Sequence, residues 1–353
     1  MATGIRKLSR RIPLVAAPVT ALALSAGLVT APSASALGSS SLSGVDVSSW
    51  QHPESAPINW AGVSGDGHHF AVVKATEGIG YVNPHLHEDA GQAAASGLVT
   101  GTYHLGRPGE NASLQAAEYA AALASVPQTT MPPVLDIEYH DGQSPEQMQA
   151  WVREFLDRTQ QLTGQTPVIY TNRFFWEEHL GNTTEFADHP LWLAAYQNNP
   201  PTQMPGGWTH MSIWQHSETG RVNGVNAPVD LNLFNGTAEQ FDQFVTGQPL
   251  VPGDFQLPSF GEGDEDLLTQ SNVELVGVVL AIAGGLVAAD ALGVTAGDLG
   301  LNPADTEHLV TLVSQLRDSG ELPVADLALM AENGEYSIGD LILLLESAQQ
   351  PGI

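Results

Sequence analysis

The 353-residue chain contains no cysteine. This excludes a thiol nucleophile, cysteine-ligated zinc and any disulfide framework. The fold must rest on its apolar core alone, which a domain of roughly 200 residues can supply. Basic residues are also scarce: 11 against 39 acidic ones, a formal charge of −28. Four of them, Arg6, Lys7, Arg10 and Arg11, precede every acidic residue. Beyond residue 36, seven basic residues face 39 acidic ones, a net of −32, and Lys74 is the sole lysine. Such a surface disfavours nucleic acid and anionic membranes as partners and fits solubility in a salty or variable medium. Neither common glycine-rich phosphate loop is present, which argues against nucleotide binding. Leu275–Ala289 is strongly apolar, but its 15 residues are too few to span a bilayer, and it reads as a buried helix.

The first 36 residues read as a secretory signal. A basic start is followed by the mostly apolar Ile12–Ala31 and by the small-residue site Ala34-Ser35-Ala36, with cleavage after Ala36. The mature protein is expected to be extracellular, without membrane insertion. From residue 43 to 245, short apolar runs alternate with helical stretches. Strand-like runs are 44–47, 70–74, 99–104, 134–138, 168–170, 191–195 and 212–215; 90–96, 112–124 and 146–162 read as amphipathic helices. This order points to parallel β/α units in an α/β barrel, with little helix between the later strands. Residues 246–266, rich in Pro, Gly and acids, read as a linker. Residues 267–353 contain no Trp or Phe and one basic residue, Arg317, and read as a small all-α C-terminal domain with a wall-targeting or structural role.

Two acids one residue apart in V-L-D-I-E, Asp136 and Glu138, share a strand face with Cα atoms about 6.5–7 Å apart. On a surface strand they would only repel. In a cleft they form a plausible acid/base pair. Asp46 ends the first strand in G-V-D-V-S-S-W-Q, and Asp230 stands beside a strand-like segment in N-A-P-V-D-L-N-L-F. Tyr103, Tyr170, Tyr196 and Trp214 occupy strand ends as well. In a β/α barrel these ends converge on one face, giving an acidic, aromatic bowl suited to a sugar polymer. Crowding of like charges there raises the pKa of at least one carboxyl, keeping a proton available. Singly, a strand-end Asp more often caps a helix and a strand-end aromatic is more often core. His85 and His87 have a metal-like spacing but no third ligand. N-G-E-Y-S-I-G-D (333–340) has Asp340 at the end of a calcium-loop pattern whose opening positions, Leu329 and Ala331, cannot coordinate; a helix–turn–helix is expected there.

Seven blocks in order, G-V-D-V-S-S-W-Q, F-A-V-V-K-A-T-E-G, G-T-Y-H, P-V-L-D-I-E, V-I-Y-T-N, L-W-L-A-A-Y and I-W-Q…G-R-V…V-D-L-N, resemble the glycoside hydrolase family 25 lysozymes, the Chalaropsis-type muramidases, over residues 43–236. The resemblance implies a TIM-like (β/α)5(β)3 barrel and hydrolysis of the β-1,4 bond between N-acetylmuramic acid and N-acetylglucosamine in peptidoglycan. It makes Glu138 the general acid, Asp136 its partner, and Asp46 and Asp230 the other site carboxylates. Tyr103, Tyr170, Tyr196 and Trp214 become sugar-contacting walls. Lys74 and Glu77 also match family positions, in structural or substrate roles. No metal or cofactor is implied, and a monomer is expected. Two alternatives compete: a non-catalytic wall-binding module on the same fold, disfavoured because all four acids are present, and a family 18-like chitinase, disfavoured because P-P-V-L stands where that family has its D-x-x-D spacing.

Overall fold

The computed structural model describes residue 1 and residues 42–248, 257, 258, 260 and 267–349. The expected signal and its cleavage site lie outside the described residues, as does most of the expected linker. Among the described residues, no helix is long and apolar enough to cross a membrane.

The chain runs β1 (Leu42–Val47), α1 (Trp60–Gly65), β2 (Phe70–Glu77), the short β3 (Tyr81–Val82), α2 (Leu86–Ala95), β4 (Val99–Leu105), α3 (Ala112–Ser125), β5 (Val134–Asp136), α4 (Pro145–Thr163), β6 (Val168–Asn172), α5 (Arg173–His179), β7 (Leu191–Ala194), β8 (Ile213–Gly220), β9 (Val229–Phe234) and α6 (Ala238–Val245). Pairing of β1 with both β2 and β9 closes eight strands into a barrel, with β3 appended outside as an antiparallel ribbon on β2. Five strand–helix units precede three strands with no intervening helix, so this is a (β/α)5(β)3 barrel. Only β9 runs antiparallel to its barrel neighbours.

Strand parity divides the core. Val45, Ala71, Val73, Leu135, Ile169 and Leu193 point outward into the layer of helices. Phe70, Val72, Val134, Val168, Ile213 and Phe234 point into the barrel. The inward rows change character along each strand: Val134 is followed two residues on by Asp136, Val168 by Tyr170 and Ile213 by Gln215. Apolar side chains therefore fill the lower barrel and polar ones its upper, C-terminal mouth, the face on which β/α barrels carry their sites. Phe241 of α6 packs on Phe70 and Phe234, ring centroids 5.5 and 5.0 Å away, and seals the bottom.

Gly44 makes room for that seal, because a Cβ on it would lie 2.3 Å from the Phe70 ring. Gly44→Ala is expected to cost about 1–3 kcal/mol through overpacking, read as a lower urea midpoint at unchanged slope.

The C-terminal region is helical: α7 (Val273–Ala283), α8 (Asp290–Asp298), α9 (Pro303–Ser319), α10 (Val324–Asn333) and α11 (Ile338–Gln349). The apolar helix expected over 275–289 stops at Ala283, where Gly284 follows and Gly285 has φ +69°. Asp340 is committed to its own helix, its Oδ2 accepting from the Ser337 N–H and hydroxyl at 2.8 Å each. That is an N-terminal cap on a helix–turn–helix.

Candidate active site

The polar mouth of the barrel opens into a cavity of about 520 Å³ whose lining includes Asp46, Asp136, Glu138 and Asp230. Each acid arrives by a different local route. Asp136 ends β5, and Glu138 follows past the strand. The Ile137 N–H still donates to the Tyr170 carbonyl (3.0 Å), so the extended parity continues and turns both acids inward while Ile137 enters the helix layer. Asp46 and Asp230 are direct register partners in the antiparallel β1–β9 pair. Because β9 runs downward, its start lies at the mouth, which explains how an acid early in a strand joins three near strand ends.

Asp46 and Asp230 share a hydrogen bond, which requires a proton between them. Asp46 Oδ2 also accepts from Gln215 Nε2 (3.0 Å) and Asn232 Nδ2 (2.6 Å). Burial, followed by the Asp46 charge, holds the Asp230 carboxyl well above the usual range, and burial raises Asp46 as well, so the pair retains a proton. Asp136 is likewise raised, by burial and then by Glu138, and its Oδ1 is buried without a hydrogen-bond partner. Burial lifts Glu138 to about 7, with Asp46 and Glu77 adding to the rise against the opposing charges of Lys74 and Arg107.

Those cations are held in a buried string. Lys74 Nζ meets Glu77 Oε2 at 2.6 Å, and Glu77 Oε1 accepts from Arg107 Nη2 at 2.7 Å. The Arg107 guanidinium lies 3.9 Å from the centroid of the Tyr139 ring, next in sequence to Glu138. Lys74 and Glu77 thus act on the carboxylates electrostatically from the wall of the cavity.

Tyr103, Tyr170 and Tyr196 line the cavity. Tyr170 and Tyr196 donate to Gln215 Oε1 at 2.8 and 3.3 Å. Burial, then the nearby carboxylates, holds the Tyr103 and Tyr170 hydroxyls protonated.

Trp214 departs from expectation. It is fully buried, outside the cavity, and its indole N–H donates to the Ala195 carbonyl at 2.8 Å. Parity is the reason: with Ile213 and Gln215 inward on β8, Trp214 must face the helix layer. The tryptophans at the site are instead Trp192, which donates to Asn232 Oδ1 (2.8 Å), and Trp50, 66% exposed at the rim.

Sequence patterning does not single out Gln215, Glu218 or Arg107 as site residues. The alternation that admits Tyr170 on β6 would have found Gln215. Gln215→Leu should orphan the Tyr170 hydroxyl and take from Asp46 Oδ2 one of its two amide donors, at about 1–3 kcal/mol for the group left unsatisfied. Urea unfolding would show it. His85 stacks on His52, ring centroids 3.7 Å apart and planes 3° from parallel, in a structural contact away from the carboxylates.

The sequence profile of Glycosyl hydrolases family 25 matches residues 45–225. Lysozyme M1 of Streptomyces globisporus is 36% identical over 225 residues, 60% of this chain and 75% of that protein. The N,O-diacetylmuramidase of Chalaropsis sp. is 34% identical over 217 residues, 58% of this chain and 99% of its own length. Among solved structures, the bacterial lysozyme from Streptomyces coelicolor superposes with a TM-score of 0.53 at 33% identity, covering 59% of this chain and 98% of that one.

Proposed function

The chain belongs to glycosyl hydrolases family 25, and from that premise we propose that the carboxylate-lined mouth of its barrel cleaves the bond between N-acetylmuramic acid and N-acetylglucosamine in peptidoglycan. The protein is a glycoside hydrolase, and its named relatives are lysozymes and muramidases. The observation that carries the residue roles is the unequal environment of the carboxyl groups.

Glu138, pushed up to about 7 by burial, holds a proton near neutral pH. It delivers that proton to the glycosidic oxygen as the bond to the anomeric carbon breaks. Asp136 Oδ1, buried and unpartnered, accepts the N–H of the sugar's 2-acetamido group and orients that group's carbonyl oxygen, which bonds to the anomeric carbon as the leaving oxygen departs and is displaced when water attacks. The Asp46–Asp230 pair, sharing one proton, keeps a single negative charge in the bowl to stabilise the oxocarbenium-like transition state. In the second half of the reaction Glu138, now a carboxylate, takes a proton from the water that attacks the anomeric carbon, which restores the starting state. Tyr103, Tyr170 and Trp50 offer ring faces and edges for the sugars. Export to the cell exterior fits the substrate and the N-terminal sequence.

The test is release of reducing ends from soluble, uncross-linked peptidoglycan glycan beside chitin oligomers of equal length. Release from the former alone is expected. Release from chitin alone would put the chain with the chitinases instead.

A further inference from the structure

The cleft is not bounded by the barrel alone. His308, Thr311 and Gln315 of α9 and Glu346 and Gln349 of α11 line the same cavity as the four carboxylates. The C-terminal helices therefore form one wall of the cleft that holds Glu138.

Several contacts hold that wall in place. The Tyr139 hydroxyl, beside Glu138 in sequence, donates to the Ser347 carbonyl at 2.6 Å. His308 Nε2 lies 2.9 Å from Glu218 Oε1 on β8 and 3.2 Å from Glu346 Oε1 on its own side. Farther from the cleft, the Tyr336 hydroxyl donates to Glu178 Oε1 (2.6 Å), and its ring meets Phe174 edge-on at 4.9 Å. Gly339 lies so close to the barrel that a Cβ on it would come within 2.2 Å of the Tyr196 carbonyl oxygen.

This wall is an addition to the family site. The family match ends at residue 225, before the first of these helices. The Chalaropsis enzyme aligns over 99% of its own length while covering 58% of this chain, so it has no length left for a counterpart. A glycan strand cleaved in mid-chain must leave the reacting bond in both directions. With α9 and α11 docked, part of the boundary of the space over the carboxylates is C-terminal helix, and a strand that extends to that side meets those helices.

We propose that the C-terminal helices are a size-selecting cap on the catalytic cleft: docked, they admit short soluble muramic-acid glycans and hinder the continuous strands of an intact wall, which enter only when α9 and α11 move off the barrel. This rests on the muramidase reading. Specificity for chain length then resides in residues that take no part in the chemistry. Thr311, Gln315 and Gln349 give this wall a polar lining, in which the Thr311 hydroxyl donates to the Glu307 carbonyl at 2.7 Å and the Gln349 amide to Gln315 Oε1.

The test uses the full chain and two variants outside the cleft lining. Gly339→Val wedges α11 away from Tyr196, and Tyr336→Ala removes the contacts to Glu178 and Phe174. Reducing-end release is measured on a soluble tetrasaccharide of alternating N-acetylmuramic acid and N-acetylglucosamine, and on intact cross-linked sacculi. Hydrogen exchange over residues 303–349 confirms that the cap has loosened. If the docked cap leaves the open form at a tenth of the population or less, loosening it raises the rate on sacculi about tenfold or more. The tetrasaccharide rate is expected to stay within about twofold, because the chemistry is untouched. An unchanged sacculus-to-tetrasaccharide ratio in a variant whose helices exchange faster would overturn the cap, as would wild type that digests sacculi as fast as the opened forms. If Gly339→Val does not fold, Tyr336→Ala decides by the same ratio. Inactivity of every form on the tetrasaccharide would instead overturn the muramidase reading, and the cap with it.

Discussion

Glu138→Gln is expected to lower kcat on soluble peptidoglycan glycan by about 10²–10⁴-fold, the usual contribution of a positioned general acid, with KM little changed. The amide keeps the shape of the carboxyl and can still hydrogen-bond to the glycosidic oxygen, but it has no proton to release to the leaving group. The same substitution should stabilise the fold above neutral pH. Glu138 is raised from 4.5 to about 7 by burial, so its charged form is disfavoured in the native state. A tenfold change in proton affinity corresponds to about 1.4 kcal/mol, so removing the charge returns about 3 kcal/mol at alkaline pH. A dead enzyme with a higher urea midpoint at about pH 8 is the signature of a site that gives up stability for chemistry. Full activity would remove Glu138 from its role. Inactivity with a lowered midpoint would mean only that the fold had been damaged.

The second large effect is on pH dependence. Activity requires Glu138 protonated and the Asp46–Asp230 pair charged, so kcat/KM should fall roughly tenfold per pH unit above about 7 and fall again in acid as the pair takes up its second proton. Stability follows the alkaline limb. Asp46, Asp136, Glu138 and Asp230 are all raised by burial. The native state therefore retains protons that the unfolded chain releases. The stabilisation is complete below the unfolded pKa values near 4 and is lost as pH rises through the folded ones. Urea unfolding at about pH 5 and about pH 8 should show the higher midpoint at the lower pH. In Glu138→Gln that difference should shrink without vanishing, since three raised carboxyls remain. Buried His104 and His216, lowered to about 3 by burial, pull the other way below about pH 6.5. The decisive comparison is therefore between wild type and Glu138→Gln: a difference between about pH 5 and about pH 8 that does not shrink in the variant would contradict a buried, proton-holding Glu138.

Much of this site is visible in the chain before any coordinate. Period-two runs place the strands, and the one-residue spacing of Asp136 and Glu138 fixes their shared face, because the pleat imposes it. The same rule, applied to I-W-Q, puts Gln215 inward and Trp214 outward, against the sugar-contacting role that the resemblance gives Trp214. Arg107 follows a strand in G-R-P with no periodic signal, and only folding shows that it reaches Glu77. α5 begins at the residue after β6, with Asn172 capping it (2.8 Å to the Phe175 N–H), so the only mark of the change from strand to helix is the short polar break Thr171-Asn172-Arg173. The largest gap concerns the C-terminal helices. Nothing local marks their polar residues, His308, Gln315 and Gln349, as facing a cleft whose carboxylates all lie 78 or more residues earlier in sequence. Docking of one packed unit on another is decided by complementary surfaces, as where Gly339 admits the Tyr196 carbonyl, and not by periodicity.

The central claim, a muramidase worked by the four-carboxylate bowl, is tested most directly by the identity of the new reducing sugar. Products released from soluble glycan by wild type would be reduced with borohydride and assigned by mass. Every new reducing end is predicted to be the reduced form of N-acetylmuramic acid, with none formed by Glu138→Gln over the same time. New ends carried by reduced N-acetylglucosamine would contradict the account, as they would mean that the other glycosidic bond of the polymer is the one cut.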